Sequence, residues 1–202
     1  NPSSPNHEWG YDLIELYDKS ILMVGARDRY SGGGKNILMI RVDVEGNILW
    51  EKEILSEDET DEVAYSITSD GVGSFFISSG VNDKQNLNKY FPRVYKIDSF
   101  GNILWERNYL SNSKQFHQFK INSSNDGNVL LVGSSITKSS FGEITDAFVM
   151  KLDNRGNILW TYPYGTSDND DWGWFIFEKP DKSIIVVGST KSFNASLFDI
   201  YL

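Results

Sequence analysis

The side chains best suited to chemistry in this sequence are tryptophans and acids that lie at or just before the starts of predicted strands. An exposed indole ring can stack on a sugar or on a peptide side chain, and carboxylates can hold Ca²⁺ or act as a general acid and base. The same residue types also suit core packing and a solvated acidic surface. The candidate ligand-binding residues are Trp9, Trp172, Trp174, Asp61, Asp168 and Asp171.

Other catalytic patterns have little support. His117 has no Ser or Cys nucleophile pattern near it, and His7 lies in a polar leader. The chain has no Cys, which excludes disulfides, thiolate zinc sites and a cysteine nucleophile. Oxygen-rich loops around 57–62 and 168–171 are compatible with a Ca²⁺-binding site, although the sequence contains no twelve-residue calcium loop. We therefore expect no metal, no cofactor and no enzymatic activity.

These candidates are positioned by an internal repeat. The pentapeptide Gly-Asn-Ile-Leu-Trp occurs three times, and its tryptophans Trp50, Trp105 and Trp160 follow one another at intervals of 55 residues. A fixed period of this kind indicates stacked copies of one structural unit. We expect the three tryptophans to pack between copies, since a β-branched residue and a large aromatic in every copy suit a buried pleated surface.

Each pentapeptide follows an alternating segment that ends in aspartate. The pattern is hydrophobic, cation, hydrophobic, Asp, two free positions and then Gly-Asn, which predicts a strand followed by a tight hairpin turn. Asp can cap the turn with its side chain, and Gly supplies a positive φ. The predicted turn residues are Asp43, Asp98, Asp153, Gly46, Gly101 and Gly156.

The order of strands and turns predicts an all-β fold of four-stranded antiparallel meanders. Such units repeated radially are the blades of a β-propeller, with an open stack as the structural alternative. We expect three complete blades and a truncated fourth. The predicted boundaries are a leader at 1–8, blades at 9–55, 56–110 and 111–165, and a partial blade at 166–202.

Charge and hydropathy argue against two classes of partner, nucleic acid and the membrane interior. The net charge is −9, with 19 Lys and Arg against 28 Asp and Glu, which argues against nucleic acid. No apolar run approaches the roughly 18–20 residues of a membrane helix, so we expect no membrane insertion. The early end of the fourth unit leaves three arrangements open: a fourth blade that stays short, a homodimer that joins open edges, or the remainder of a longer propeller.

Three segments carry a family resemblance. Thr145 to Trp160, Ser69 to Gly71 and Val187 to Ser189 resemble the β-propeller repeats of secreted and surface bacterial proteins. A more distant resemblance is to quinoprotein-like repeats, in which a Trp docks between blades. The resemblance implies a secreted or cell-surface location. It does not imply a quinone cofactor, because the vicinal cysteine pair frequent in those enzymes is missing.

Two functions follow as hypotheses. The first is a non-catalytic binding or scaffolding module whose loop face meets a glycan or a protein. The alternative is part of a carbohydrate-active propeller enzyme, with carboxylates such as Asp61 or Asp171 on the same face acting as acid and base.

Overall fold

The computed structural model describes residues 7–29, 34–56, 60–83, 89–109, 114–139, 142–166, 169–192 and 199–201. All regular elements in these ranges are β-strands. Among the described residues, no helix is long and apolar enough to span a membrane. The all-β prediction is therefore confirmed.

The strands form antiparallel meanders in chain order. The first sheet holds β1 (Glu8–Glu15), β2 (Ile21–Asp28), β3 (Lys35–Val42) and β4 (Ile48–Ile54). The second holds β5 (Thr60–Ser69), β6 (Ser74–Asp83), β7 (Lys89–Asp98) and β8 (Ile103–Asn108). The third holds β9 (Lys114–Ser123), β10 (Val129–Ser139), β11 (Gly142–Leu152) and β12 (Ile158–Tyr164). The fourth sheet has three strands in the described part of the chain: β13 (Asp171–Glu178), β14 (Ile184–Thr190) and β15 (Asp199–Tyr201).

The core lies between neighbouring sheets. Leu22 and Met39 of the first sheet share a buried cluster with Ile77 and Ile97 of the second. The opposite side of the second sheet packs on the third through another buried cluster, which includes Phe76 of the second sheet and Phe119 of the third. Because β6 and β10 contribute to core clusters on both faces, they read as nearly continuous apolar runs rather than alternating ones.

The repeated aspartate turns share one hydrogen-bond pattern. Asp98 Oδ1 accepts the backbone N–H groups of Phe100 and Asn102, each at 2.9 Å, and Oδ2 accepts the Asn102 side-chain amide. Gly101 adopts φ +75°, a left-handed conformation that glycine takes without a Cβ penalty. The turns at 43–47 and 153–157 repeat the same aspartate bonds.

The tryptophan of one sheet lies against the glycine turn of the next. A Cβ at Gly101 would lie 2.9 Å from Trp50 Cη2, and one at Gly156 would lie 2.9 Å from Trp105 Cη2. Trp105 Nε1 also donates to the Asn154 carbonyl oxygen at 3.2 Å. Glycine is therefore required at these turns for the closeness of the neighbouring sheet as well as for backbone conformation.

The apolar residues beside these tryptophans are less buried than the sequence suggests. Ile48, Ile103 and Ile158 are 60%, 44% and 51% exposed. The following leucine of each copy is skipped in the pairing with the third strand, so it forms a β-bulge on the outermost strand. The expectation that the β-branched residue of each copy is buried is therefore wrong, because the turn of the next sheet lies against the tryptophan and leaves the isoleucine exposed. Irregularity there limits pairing with other chains.

The start of the chain also differs from the prediction. Glu8, predicted as the last residue of the leader, is the first residue of β1. Residues 1–6 of that leader lie outside the described residues.

Candidate functional site

The first strand of every sheet has one extra residue at the same point. Pairing with the second strand skips Tyr11 in β1, Tyr65 in β5, Gln118 in β9 and Trp174 in β13. A bulge leaves its residue outside the ladder and turns the side chain in a new direction. Each first strand therefore has, at this point, one residue that does not pair with the second strand.

The first strands surround a mostly apolar cavity of about 240 Å³, which we call the central cavity. All four of these strands contribute to its wall, so the cavity lies where the sheets meet. The lining residues are Tyr11, Tyr65, Phe119, Lys120, Gly173 and Trp174. Three of them are bulge residues, which makes the cavity a direct product of the repeated irregularity.

A connected group of aromatic rings extends from this cavity. The rings of Tyr11 and Tyr65 meet edge to face at 5.4 Å, and the hydroxyls of Tyr65 and Tyr90 are 2.6 Å apart. Tyr90 stacks on Phe119 at 6.1 Å and on His117 at 5.3 Å. Burial raises the pKa of both Tyr65 and Tyr90 above that of free tyrosine, so both phenols stay neutral.

One cation lies at the cavity wall. Lys120 Nζ donates to the Tyr65 carbonyl oxygen at 2.9 Å and lies 3.9 Å from Asp12 Oδ2. Asp12 in turn accepts bonds from the Ser66 hydroxyl at 2.6 Å and the Ile67 N–H at 3.1 Å. The Asp12 carboxylate thus joins β1 to β5, and Lys120 joins β9 to both.

His117 is the histidine nearest to this group of rings in the described chain. Desolvation lowers the pKa of its imidazole, against an opposing contribution from Glu143. The ring is therefore mainly neutral near pH 7 and has a lone pair available. His7 is at the surface, with its Nδ1 3.1 Å from Asp28 Oδ2.

Of the predicted tryptophans, the structure brings one to the cavity. Trp174 is 42% exposed, and its Nε1 donates to Ser189 Oγ at 3.1 Å. Trp9 is half-buried beneath Lys35, whose Nζ lies 4.8 Å from the ring centroid. Trp172 is half-buried, with Lys191 Nζ at 5.9 Å from its ring centroid.

The predicted acids are engaged in structural bonds. Asp61 Oδ1 accepts the Lys35 backbone N–H at 2.9 Å and so joins the second sheet to the first. Asp171 is 1% exposed and accepts the hydroxyls of Thr190 and, at 2.6 Å, Ser192. Asp168 lies outside the described residues. Within the described ranges, no group of three or more His, Asp or Glu side chains is arranged to hold a metal ion.

Sequence reasoning missed Tyr11, Tyr65 and Lys120. A signal was present, because the shared offset that aligns Trp9-Gly10 with Trp172-Gly173 also aligns Tyr11 with Trp174. Large rings at one position of the first strand in separate copies indicate a shared environment. That environment could not be identified without the bulges, since a regular strand would turn these side chains into a sheet interface.

The fold and the central cavity define a propeller-like all-β protein. Comparison with known families then gives its membership: the model of the family described as "Arylsulfotransferase (ASST)" matches residues 31–167, more than half of the chain. The protein belongs to the arylsulfotransferase family. No curated protein sequence matches the chain.

Two solved structures share the architecture. An endo-arabinase from Bacteroides thetaiotaomicron VPI-5482 is 11% identical with a TM-score of 0.55, over 94% of this chain and 72% of that one. A protein of unknown function from Dyadobacter fermentans DSM 18053 is 12% identical with a TM-score of 0.57, over 100% of this chain and 65% of that one. At such identity the likeness concerns the fold alone.

Two expectations are corrected by these findings. The prediction that the protein is not an enzyme is wrong, because its family is named for an enzymatic activity. The distant resemblance to quinoprotein repeats is replaced by membership of the arylsulfotransferase family. The propeller-like architecture itself is confirmed by the similar structures.

Proposed function

We propose that the protein is the propeller, or part of the propeller, of an arylsulfotransferase-type enzyme, and that the central cavity holds the aryl group of its substrate. The observation that carries the proposal is the mostly apolar cavity of about 240 Å³ bordered by Tyr11, Tyr65 and Trp174. An apolar cavity of roughly 150 Å³ is already large enough for benzene. A substrate ring would meet aromatic edges and faces, which favour offset and edge-to-face contacts.

The sulfate group requires a cation or other strong hydrogen-bond donors. Lys120 borders the cavity, and its side chain is 38% exposed. In sulfuryl transfer the bond from sulfur to the donor aryl oxygen breaks, a bond to the acceptor oxygen forms, and the acceptor releases its proton. Lys120 would stabilise the negative charge that the sulfuryl oxygens carry throughout.

This proposal agrees with the alternative predicted from the sequence in that the protein is part of an enzyme. It differs in the reaction, which is sulfuryl transfer and not carbohydrate chemistry. The carbohydrate part of that alternative is not supported by Asp61 or Asp171, because both carboxylates are bonded to groups of the fold. A ring of three full blades and a partial one, a secreted or cell-surface location, a glycan or protein partner and a possible homodimer stay predictions.

The test is calorimetric titration with 4-nitrophenyl sulfate, 4-nitrophenol and inorganic sulfate. We expect the two aryl compounds to bind and inorganic sulfate to bind far more weakly. Trp174→Ala should weaken aryl binding about tenfold, since one aromatic contact and its buried area are lost. Trp9→Ala is the matched control, because that indole is absent from the cavity wall.

Lys120→Met separates the two parts of the substrate. It should weaken 4-nitrophenyl sulfate more than 4-nitrophenol, because only the former carries a sulfate group. Equal binding by Trp174→Ala and the parent protein would contradict the proposed cavity. If inorganic sulfate binds as tightly as 4-nitrophenyl sulfate, the proposed role of the aryl ring is wrong. Release of 4-nitrophenolate in the presence of phenol would measure transfer directly.

A further inference from the structure

The cation of the central cavity has an acid close to it. Among the described residues that line this cavity, Lys120 is the charged one. Its Nζ lies 3.9 Å from Asp12 Oδ2, and both side chains are partly exposed. The end of the cavity that can bind an anion therefore carries one positive charge with one negative charge beside it.

Asp12 is held in this position by groups of two strands. Its Oδ2 accepts the Ser66 hydroxyl at 2.6 Å and the Ile67 N–H at 3.1 Å, both from β5. Its Oδ1 accepts the Leu13 N–H at 3.0 Å, within β1. Because three donors fix the carboxylate, turning it away from an anion at Lys120 would break these bonds. The negative charge is therefore a permanent part of the surroundings of Lys120.

Sulfate and phosphate monoesters have similar shapes but different charges. A sulfate monoester carries one negative charge, whereas a phosphate monoester carries nearly two at pH 8, since its second pKa is about 6. Because Lys120 Nζ is 3.9 Å from Asp12 Oδ2, an anion bonded to this nitrogen at about 3 Å lies no more than roughly 7 Å from the carboxylate. That distance is shorter than the Debye length of about 10 Å at 0.1 M salt. Lys120 can neutralise the first charge, and Asp12 repels the second.

We propose that Asp12 is a specificity-determining residue through which the central cavity selects monoanionic aryl sulfates over dianionic aryl phosphates. Discrimination between similar ligands often depends on a repulsive group placed against the wrong one, in addition to contacts with the right one. Lys120 makes the contact with the ligand, and Asp12 acts on the charge of the ligand through space. The inference rests on the proposed function, since it takes the central cavity as the aryl sulfate site.

The experiment compares three ligands by calorimetric titration at pH 8 in 0.1 M salt: 4-nitrophenyl sulfate, 4-nitrophenyl phosphate and 4-nitrophenyl methylphosphonate. The methylphosphonate is built on phosphorus but carries a single negative charge, so it separates the effect of charge from that of the central atom. We expect the parent protein to bind the sulfate about tenfold or more tightly than the phosphate, and the methylphosphonate within about threefold of the sulfate. If the two phosphorus compounds bind equally weakly, the proposal is overturned.

Two variants of β1 assign the effect to Asp12. Asp12→Asn removes the charge and keeps a side-chain oxygen for Ser66 and Ile67. It should raise the affinity for the phosphate, and the logarithmic gain should be about twice that for the sulfate, because the lost charge acted on two charges instead of one. Glu15→Gln is the matched control, since it removes an acid of the same strand that does not line the cavity. It should leave the ratio of the two affinities unchanged.

The outcomes distinguish this inference from the function on which it rests. If 4-nitrophenyl sulfate does not bind to the parent protein, the proposed function is wrong, and the inference is wrong as well. If the sulfate binds but Asp12→Asn leaves the ratio of sulfate to phosphate affinity unchanged, the inference alone is overturned. It is also overturned if Glu15→Gln changes this ratio as much as Asp12→Asn does, because the effect would then come from the net charge of the chain.

Discussion

Replacing Gly156 by alanine measures how strongly one sheet holds the turn of the next. Gly156 has φ +80°, and a side chain in a left-handed conformation costs about 1–2 kcal/mol. The new Cβ would also lie 2.9 Å from Trp105 Cη2, closer than carbon atoms pack. Overpacking of this kind costs about 1–3 kcal/mol. We therefore expect Gly156→Ala to lower the free energy of unfolding by about 2–5 kcal/mol.

Gly46 is the matched control within the same chain. It occupies the same turn position with φ +87°, but a Cβ there would meet nothing within 4 Å. Gly46→Ala should therefore cost only the backbone part, about 1–2 kcal/mol. Urea unfolding followed by circular dichroism gives both values by linear extrapolation.

A double variant identifies the origin of the difference. In a Trp105→Leu background, the excess cost of Gly156→Ala over Gly46→Ala should become smaller, because the rigid indole is gone and the other close atom, Arg107 Cγ at 2.9 Å, belongs to a flexible side chain. Equal losses for Gly156→Ala and Gly46→Ala in the parent protein would refute the reasoning. They would mean that the turn is held by its own bonds and that the neighbouring indole contributes nothing.

Three further outcomes are expected. Arg93→Met should lower the free energy of unfolding by about 3–5 kcal/mol in urea titrations, because it leaves Glu62, which is 1% exposed, without its cation at 3.0 Å. Burial raises the pKa of Glu62 above its ordinary value, and removal of the Arg93 charge should raise it further. The folded state of Arg93→Met therefore holds this proton to a higher pH than the unfolded chain does, so its stability should fall as the pH rises above about 4.5, and a flat profile would contradict this. Hydrogen bonds from Asn157 lower the pKa of Asp153, so its contribution is present above about pH 4 and lost in acid. Asp153→Asn should therefore lose less stability than the parent protein between about pH 5 and 3. If the urea midpoint falls by the same amount in the variant and the parent over this range, the prediction is wrong.

The local parts of this fold are the ones that the sequence predicts well. The turn at Asp98 is determined by residues within five positions, since the aspartate, glycine and asparagine bond to one another. The strand order follows from such turns, because a short connection joins antiparallel neighbours. The fold class could therefore be predicted from the repeat alone.

The site could be predicted only in part, because its geometry depends on contacts between distant segments. Trp9 and Trp174 are both tryptophans near the start of a first strand, yet one lies beneath Lys35 and the other borders the cavity. Asp171 is an acid in a polar run, but hydroxyls from Thr190 and Ser192 bind it in the interior. Enzymatic family membership came from the match over 31–167, since isolated residues do not carry it.

The repeated bulge has a consequence for how such proteins diversify. Because Tyr11, Tyr65 and Trp174 stand outside the ladder of hydrogen bonds, exchanging one of them leaves the register of the strands unchanged. Selection can therefore alter the chemistry of the cavity one copy at a time without shifting a strand. A library randomised at these three positions should keep its fold in most members while its ligand preferences diverge.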